Sequence, residues 1–252
     1  MRANWLLIIL SIGLALLGWQ VLAQVGSFPT FMLPSPAQVW ERFVTTLEDG
    51  SLLRNSAATL LEVLLGLVLG VGVASALGYT LAKSLPLERL LSPYIIASQS
   101  IPIVAIAPLL VIWFGPGLIS KVLICALIVF FPVLVNIVVG LRSVPQDLRD
   151  LMRSLRATRW QTFRLLELPA ALPVLLGGLR IGATLSVIGA VVGEFVGANR
   201  GLGFLVNVGR GMYDTALVFV AVFALVAMAM LLYGLVALLE AHLLAWQKEN
   251  TE

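Results

Sequence analysis

The sequence predicts an all-α, polytopic membrane protein with six transmembrane helices and a short amphipathic helix in one of its loops. Apolar residues make up 60% of the 252 residues and charged residues only 12%, whereas soluble domains carry about 25% charged residues. The mean hydropathy is +1.03, so a soluble chain of this length would lack the polar surface to cover itself. The apolar residues form continuous runs of about 20, as membrane-crossing helices do, and not the alternating pattern of a β-barrel.

Six apolar runs predict the spans. Their predicted bounds are Trp5 to Val25, Ala57 to Ala82, Pro93 to Phe114, Leu118 to Leu141, Ala170 to Val196 and Ala216 to Trp246. Residues 1–56 then hold the first helix and an external loop, residues 57–246 a core of five helices, and residues 247–252 a tail. The first run has a rival interpretation, because Arg2, the apolar stretch and Val21-Leu22-Ala23 resemble a cleavable signal peptide. A run of about 20 residues is long for such a peptide, so we favour an uncleaved helix.

The positions of the lysines and arginines predict the orientation of the spans. Cytoplasmic loops of membrane proteins carry an excess of these residues. With the N-terminus inside, the inner segments carry ten of them and the outer loops four. The inner ones are Arg2, Lys83, Arg89, Arg142, Arg149, Arg153, Arg156, Arg159, Arg164 and Lys248; the outer ones are Arg42, Arg54, Arg200 and Arg210. We therefore expect a multi-pass protein of the cell (inner) membrane with both termini in the cytoplasm.

The composition also argues against several kinds of site. The chain has one cysteine, Cys125, and one histidine, His242, so we expect no intrachain disulfide and no Cys/His metal site. It contains neither a P-loop nor an H-E-x-x-H sequence, so we expect the chain itself to bind no ATP, no cofactor and no metal, and not to be an enzyme. The net charge of +3 is small and does not suggest a nucleic-acid partner.

The inner loop at residues 142–169 carries two helix-start signals. Pro145 and Asp147 precede an apolar stripe at i, i+3, i+4 and i+7, which predicts a short helix from Asp147 to Ala157. Thr158 and Gln161 have the form of a capping box. Such a loop could lie on anionic headgroups or enter a groove on a partner protein, and we favour the partner. The expected docking residues are Leu148, Asp150, Leu151, Met152, Arg153, Ser154, Leu155, Arg156 and Ala157.

The same loop resembles the EAA signature of importer-type ABC transporter permeases, E-A-A-x-x-x-G followed by nine residues and I-x-L-P. Asp150-Leu151-Met152 stands at the E-A-A place, Arg156 at the glycine and Leu166-Glu167-Leu168-Pro169 at the end, with the spacing kept. Glycine permits a left-handed turn at low cost and arginine does not. We therefore expect the link after the first short helix to have a different shape in this chain.

Other segments resemble the nitrate/sulfonate/taurine branch of that family. They are Ser100 to Gly115, Phe130-Phe131-Pro132 and Val192 to Phe204. The resemblance implies a permease that forms a homodimer and docks two copies of a cytoplasmic ATPase through its coupling helices. The ATPase would bind ATP and magnesium, and a periplasmic or extracellular binding protein would deliver a sulfonate, taurine, nitrate or a vitamin-related compound.

Small and charged residues within the spans form a second group of candidates. Small residues at every fourth position let helix backbones approach closely, either within one subunit or, for span five, at the dimer seam and the route. Ionisable residues in a membrane are functional candidates by default, so Glu194 is a polar clamp or a gate, and Arg180 an anchor or a pathway residue. We expect Glu62 to reach the membrane interface and to have a structural role. The packing candidates are Gly66, Gly70, Gly78, Gly182, Gly189 and Gly193, and the pathway candidates are Glu194, Arg180 and Ser186.

Two rival functions remain open on sequence grounds. A secondary transporter or channel would show in-membrane ionisable pairs or inverted repeats, and no repeat is visible in the sequence. An intramembrane enzyme would need a nucleophile–base pair or a metal cluster within the spans, and none is visible there either. The importer permease is therefore the favoured interpretation.

Overall fold

The structure is a computed structural model of the chain that describes residues 2–26 and 29–245. Within these ranges the regular secondary structure is helical throughout. The helices are α1 (Arg2–Val25), α2 (Pro36–Glu48), α3 (Ser51–Lys83), α4 (Leu85–Gln99), α5 (Ile103–Phe114), α6 (Leu118–Arg142), α7 (Gln146–Ser154), α8 (Arg159–Thr162), α9 (Leu168–Phe195), α10 (Leu202–Gly211) and α11 (Thr215–Leu243), with a π-helical turn at Phe163–Glu167 between α8 and α9.

Four of the predicted spans are confirmed as helices long and apolar enough to cross a membrane: α3, α6, α9 with the helical segment before it, and α11. The all-α, polytopic fold class is therefore confirmed. The described apolar part of the first span is shorter, at Leu10–Val25, so the count of six spans stays a prediction. Trp246 and the predicted tail at 247–252 lie outside the described residues.

The third span, predicted from Pro93 to Phe114, is not one continuous helix. The chain instead forms α4 and α5, which are bent by 93° at a short break. Pro102 lies in the break and becomes the N-cap of α5. A proline has no N–H to donate and disfavours helical geometry in the residue before it, so the helix ends before it. Pro93 and Pro108 lie inside α4 and α5.

The described residues group into two compact units. The first contains the residues up to Ala58 together with Asn199–Val226. In this unit the Trp19 ring stacks on Phe219 at 5.2 Å and its indole N–H donates to the Pro34 carbonyl at 3.0 Å. Arg42 forms an ion pair with Asp214 at 2.7 Å. Contacts between residues distant in sequence therefore hold α1, α2 and the beginning of α11 in place.

The second unit contains Thr59–Ala198 together with the residues from Ala227 onward, and α6 is its centre. Three α6 residues, Ile124, Cys125 and Val129, are completely buried. A Cβ added to Gly66 of α3 would collide with the Cβ of Cys125, and one added to Gly189 of α9 would lie 2.7 Å from the Cys125 Cα. The backbones of α3 and α9 thus approach α6 at the same residue, from two sides.

The other packing candidates follow the same two helix faces. Cβ atoms added to Gly70 and Gly78 would lie 2.7 Å from atoms of Ala126 and Ile137. On α9, Cβ atoms added to Gly182 and Gly193 would lie 3.2 Å from α6 atoms. Both stripes of small residues therefore contact α6 of the same chain. The small-residue face of α9 is occupied inside the subunit, which favours packing over a dimer seam for this stripe.

An ion pair between α3 and α6 lies one helical turn from the contact at Cys125. Lys121 Nζ and Glu62 Oε1 are 2.7 Å apart, and their side chains are only 5% and 2% exposed. Glu62 thus has the structural role that was predicted for it, and its carboxylate lies buried between α3 and α6. Glu62 lies four residues before Gly66 and Lys121 four residues before Cys125, so each side chain shares the face on which the two helices meet.

We expect Gly70→Ala to destabilise the protein, because the new methyl group would force the α3 and α6 backbones apart. Overpacking of this kind typically costs about 1–3 kcal/mol. Gly72→Ala is the matched control, since it lies on the same helix and a Cβ there would meet nothing within 4 Å. Thermal unfolding in detergent should show a lower midpoint for Gly70→Ala only. Equal midpoints for both variants would contradict the close approach of the two helices.

We expect Lys121→Met to be more destabilising, because it leaves the Glu62 carboxylate buried without its cation. Breaking one partner of a buried pair costs about 3–5 kcal/mol. The double variant Glu62→Gln, Lys121→Met removes both charges and should recover part of the lost stability. The unfolding midpoints of the wild type and the two variants test this. A double variant as unstable as the single one would show that the charges are not coupled.

Candidate functional site

The predicted docking helix exists as α7, which is shorter than expected. It runs from Gln146 to Ser154, with Pro145 at its N-cap, whereas the predicted helix extended to Ala157. The chain leaves α7 through hydrogen bonds from Ala157 N to Met152 O at 3.0 Å and from Arg156 N to Arg153 O at 2.9 Å. These two bonds are those of a Schellman motif, which closes a helix with one left-handed residue.

Arg156 is that left-handed residue, with a φ of 52°. The expectation that arginine at the glycine place of the signature changes the shape of the link is therefore wrong. Arginine can adopt this conformation at a cost of about 1–2 kcal/mol, and the two closing hydrogen bonds offset part of that cost. The turn survives because the backbone bonds determine it, and the residue type only changes its energy.

The apolar stripe of α7 is exposed. Leu148, Leu151 and Leu155 are 42%, 53% and 68% exposed, and Met152 is half-buried. In the described part of the chain nothing covers the three leucines. The opposite side of the helix is polar, with an exposed ion pair between Asp150 and Arg153 at 2.8 Å and a hydrogen bond from Ser154 Oγ to the Asp150 carbonyl at 3.0 Å.

Two contacts that the sequence did not reveal fix the ends of this loop. Arg149 Nη2 donates to the Leu141 carbonyl at 2.6 Å and so ties α7 to the end of α6. Lys83, at the end of α3, forms an ion pair with Glu167 in the π-helical turn. The partners are 8 and 84 residues apart, so no local pattern could have indicated them.

The second short helix begins as predicted and continues into α9. Gln161 N donates to Thr158 Oγ1 at 3.3 Å and Thr158 N donates to Gln161 Oε1 at 2.7 Å, which confirms the capping box. The π-helical turn then leads into α9, which begins at Leu168 with Pro169 in its first turn. The segment Arg159–Phe195 is thus one helical body of 37 residues.

The predicted pathway residues lie apart from one another. Glu194 is completely buried and accepts a hydrogen bond from Thr59 Oγ1 at 2.6 Å. Ser186 is also completely buried, and its hydroxyl donates to the Ala183 carbonyl at 2.7 Å. Arg180 forms an ion pair with Glu240 of α11, a partner that the sequence analysis did not identify. Neither Glu194 nor Ser186 is exposed to a solute route in this structure, and the pathway roles stay predictions.

The described residues bring no group of three or more His, Cys, Asp or Glu side chains together in a way that could hold a metal ion. The thiol of Cys125 is buried between helices. The features that remain for function are therefore the exposed face of α7, its continuous connection to α9, and the polar residues buried among α3, α6 and α9.

Comparison with known proteins places these features in a family. Residues 63–244 match the family model described as binding-protein-dependent transport system inner membrane component. The riboflavin transport system permease protein RibX of Chloroflexus aurantiacus is 47% identical over 93% of this chain and 87% of its own length. The formylaminopyrimidine transport permease protein ThiX of Halalkalibacterium halodurans is 36% identical over 92% of each chain.

A solved structure shares the fold. The inward-facing MetNI methionine ABC transporter aligns with a TM-score of 0.67 and 22% identity, over 76% of this chain and 95% of that one. The family match and the relatives confirm the resemblance that the loop at 142–169 indicated. The chain belongs to the inner membrane components of binding-protein-dependent transport systems and is a permease subunit of the ABC importer type.

Proposed function

We propose that this permease translocates a vitamin-related nitrogen heterocycle that an external binding protein delivers. The relatives named for riboflavin and formylaminopyrimidine transport are 47% and 36% identical over nearly the whole chain. Their named solutes are nitrogen heterocycles, which favours this class among those expected from the sequence over sulfonates, taurine and nitrate. The chain acts as a homodimer with two copies of a cytoplasmic ATPase, which bind the ATP and magnesium.

The single observation that carries the coupling role is the exposed apolar stripe of α7. Amphipathic helices dock by placing such a stripe into a hydrophobic groove of a partner. Leu148, Leu151 and Leu155 supply the stripe, and Ser154 and Arg156 are exposed next to it in the chain. Asp150 pairs with Arg153 on the polar side and so leaves the apolar side available to the partner.

Closure of the ATPase reaches the membrane through the helical body that follows α7. When the partner moves α7, the capped helix α8 and the π-helical turn carry the displacement into α9. The Lys83–Glu167 ion pair joins this turn to α3, so α3 and α9 move together around α6. Their close contacts with α6 favour a rigid shift over bending, since packed helices have few intermediate arrangements.

Glu194 and Arg180 are proposed to hold the helices in register during this shift. Glu194 joins α9 to α3 through Thr59, and Arg180 joins α9 to α11 through Glu240. Each side chain therefore links α9 to a different neighbour, and Ser186 lies between them on the same helix. A gate role for Glu194 requires that its contact with Thr59 opens in another conformation.

We expect Leu151→Asp to abolish coupling, because it places a carboxylate in an apolar contact. Burying an unpaired polar group costs several kcal/mol, and a loss of about 3 kcal/mol weakens binding roughly a hundredfold. The variant should insert and dimerise, since its spans are unchanged. It should fail to retain the ATPase on purification. Proteoliposomes that contain the ATPase and the binding protein should take up riboflavin with the wild type and not with the variant.

Arg153→Gln is the control, because an exposed ion pair contributes only about 0–1 kcal/mol. This variant should retain the ATPase and transport nearly normally. A Leu151→Asp variant that co-purifies with its ATPase would place the docking surface elsewhere. Normal ATPase retention with no uptake of either riboflavin or formylaminopyrimidine by the wild type would contradict the proposed class of solute and leave the coupling role intact.

In the proposed orientation the protein lies in the inner membrane of the cell, and both of its termini and the loop at 142–169 lie in the cytoplasm. Ser154 and Arg200 are both exposed, so cysteines introduced there are accessible to a thiol reagent. The natural cysteine, Cys125, is buried and contributes little labelling of its own. A membrane-impermeant thiol reagent added to intact cells, with access to the outer face of that membrane, should label Arg200→Cys and not Ser154→Cys. The reverse pattern would overturn the orientation and the cytoplasmic coupling with it.

A further inference from the structure

A cavity of about 900 Å³ lies beside the coupling loop, within the second compact unit. It is bounded by the end of α3, the beginning of α4, and α7, α8 and the π-helical turn. Its volume is that of a pocket for an organic ligand. Leu148 and Leu151 of α7, and Leu155 at its C-cap, do not line the cavity, so the cavity and the docking stripe lie on different sides of that helix. The lining residues are Tyr79, Thr80, Ala82, Lys83, Ser84, Leu87, Arg149, Arg153, Ala157, Arg159, Thr162 and Glu167.

The lining is strongly basic. It contains four cationic side chains and one carboxylate, Glu167. That carboxylate is buried and forms an ion pair with Lys83, so it neutralises the lysine. No acidic residue of the lining remains to balance Arg149, Arg153 and Arg159. A concave surface lined by charges of one sign concentrates ions of the opposite sign.

The three guanidinium groups have hydrogen-bonding capacity to spare. The Arg159 guanidinium makes no hydrogen bond or ion pair with the described residues. Arg149 Nη2 donates a hydrogen bond to the Leu141 carbonyl, and Arg149 Nε is buried without a hydrogen-bond partner. A buried donor left without a partner is costly and calls for an explanation. Arg153 has only its exposed pair with Asp150. An anion in the cavity would satisfy these donors.

The rest of the lining suits an anion that is attached to an organic body. Ser84 Oγ accepts a hydrogen bond from Leu87 N at 3.4 Å, so its own proton is available to a ligand. The Tyr79 ring lies below Lys83 Nζ, which is 5.5 Å from the ring centroid, and Ala82 and Leu87 are apolar. Guanidinium groups match phosphate oxygens in pairs of parallel hydrogen bonds.

We propose that this cavity binds a phosphate-bearing organic anion, whose phosphate group contacts Arg149, Arg153 and Arg159. Two sources share this chemistry: the headgroup of an anionic phospholipid and a phosphate-bearing solute. Basic pockets beside membrane helices on the cytoplasmic side bind anionic headgroups. The cytoplasmic location of the cavity is inferred from the proposed function. The charge and the lining of the cavity are properties of the structure and do not depend on that function. A ligand held there joins α7 to the end of α3 and so restrains the coupling helix.

Binding to the full chain in nanodiscs tests the proposal with one probe for each source. Nanodiscs of phosphatidylcholine with phosphatidylglycerol, followed by native mass spectrometry, measure retention of the anionic lipid. Nanodiscs of phosphatidylcholine alone, with equilibrium dialysis of labelled adenosine monophosphate, measure binding of a solute phosphate. We expect the wild type to bind at least one probe saturably. Arg159→Gln should weaken that binding about tenfold, since one charge-assisted hydrogen bond is lost.

Arg164→Gln is the matched control, because Arg164 is an exposed arginine of the same segment that does not line the cavity. Both variants have the same net charge, and equal unfolding midpoints would show that both are folded. Selective loss of lipid retention in Arg159→Gln identifies a headgroup site, and selective loss of nucleotide binding identifies a solute site. Equal losses in both variants, or no saturable binding of either probe by the wild type, would overturn the proposal. The assay needs neither the ATPase nor transport, so its failure would leave the importer function untouched.

Discussion

Three helices come so close at Cys125 that only glycines fit opposite it, and the arrangement of the second compact unit depends on this contact. Gly66 of α3 and Gly189 of α9 meet the same α6 residue from two sides. In a bilayer the lipid tails are as apolar as the side chains, so helices gain little from hiding apolar surface and much from close packing. The small residues therefore decide which helices are neighbours.

The buried charges become possible because this contact brings their partners into reach. Lys121 and Glu62 lie one turn from the contact and pair within the bundle. Glu194 lies on the adjoining turn of α9, and the residue before it, Gly193, packs against Lys121. The Glu194 carboxylate accepts a hydrogen bond from the Thr59 hydroxyl. Each charge would be costly alone in hydrocarbon. Pairing lowers that cost and makes the relative register of α3, α6 and α9 specific.

The coupling loop combines a rigid side with an available side. Arg149 ties the loop to the end of α6, and the Lys83–Glu167 ion pair ties it to the end of α3. The Schellman motif closes the end of α7. The leucine stripe of α7 remains exposed for a partner protein. On its other side, the same helix contributes arginines to the basic cavity. One short helix therefore presents apolar leucines on one side and arginines on another.

The sequence by itself determined what depends on composition and on neighbours along the chain. Hydropathy located the long helices, the Thr158–Gln161 spacing predicted the capping box, and the i, i+3, i+4, i+7 pattern predicted α7, because each of these is a local property. Only the tertiary structure decided the partners of Glu62 and Arg180. These outcomes depend on which faces meet across dozens of residues, and a one-dimensional pattern does not specify which helix lies opposite a given face.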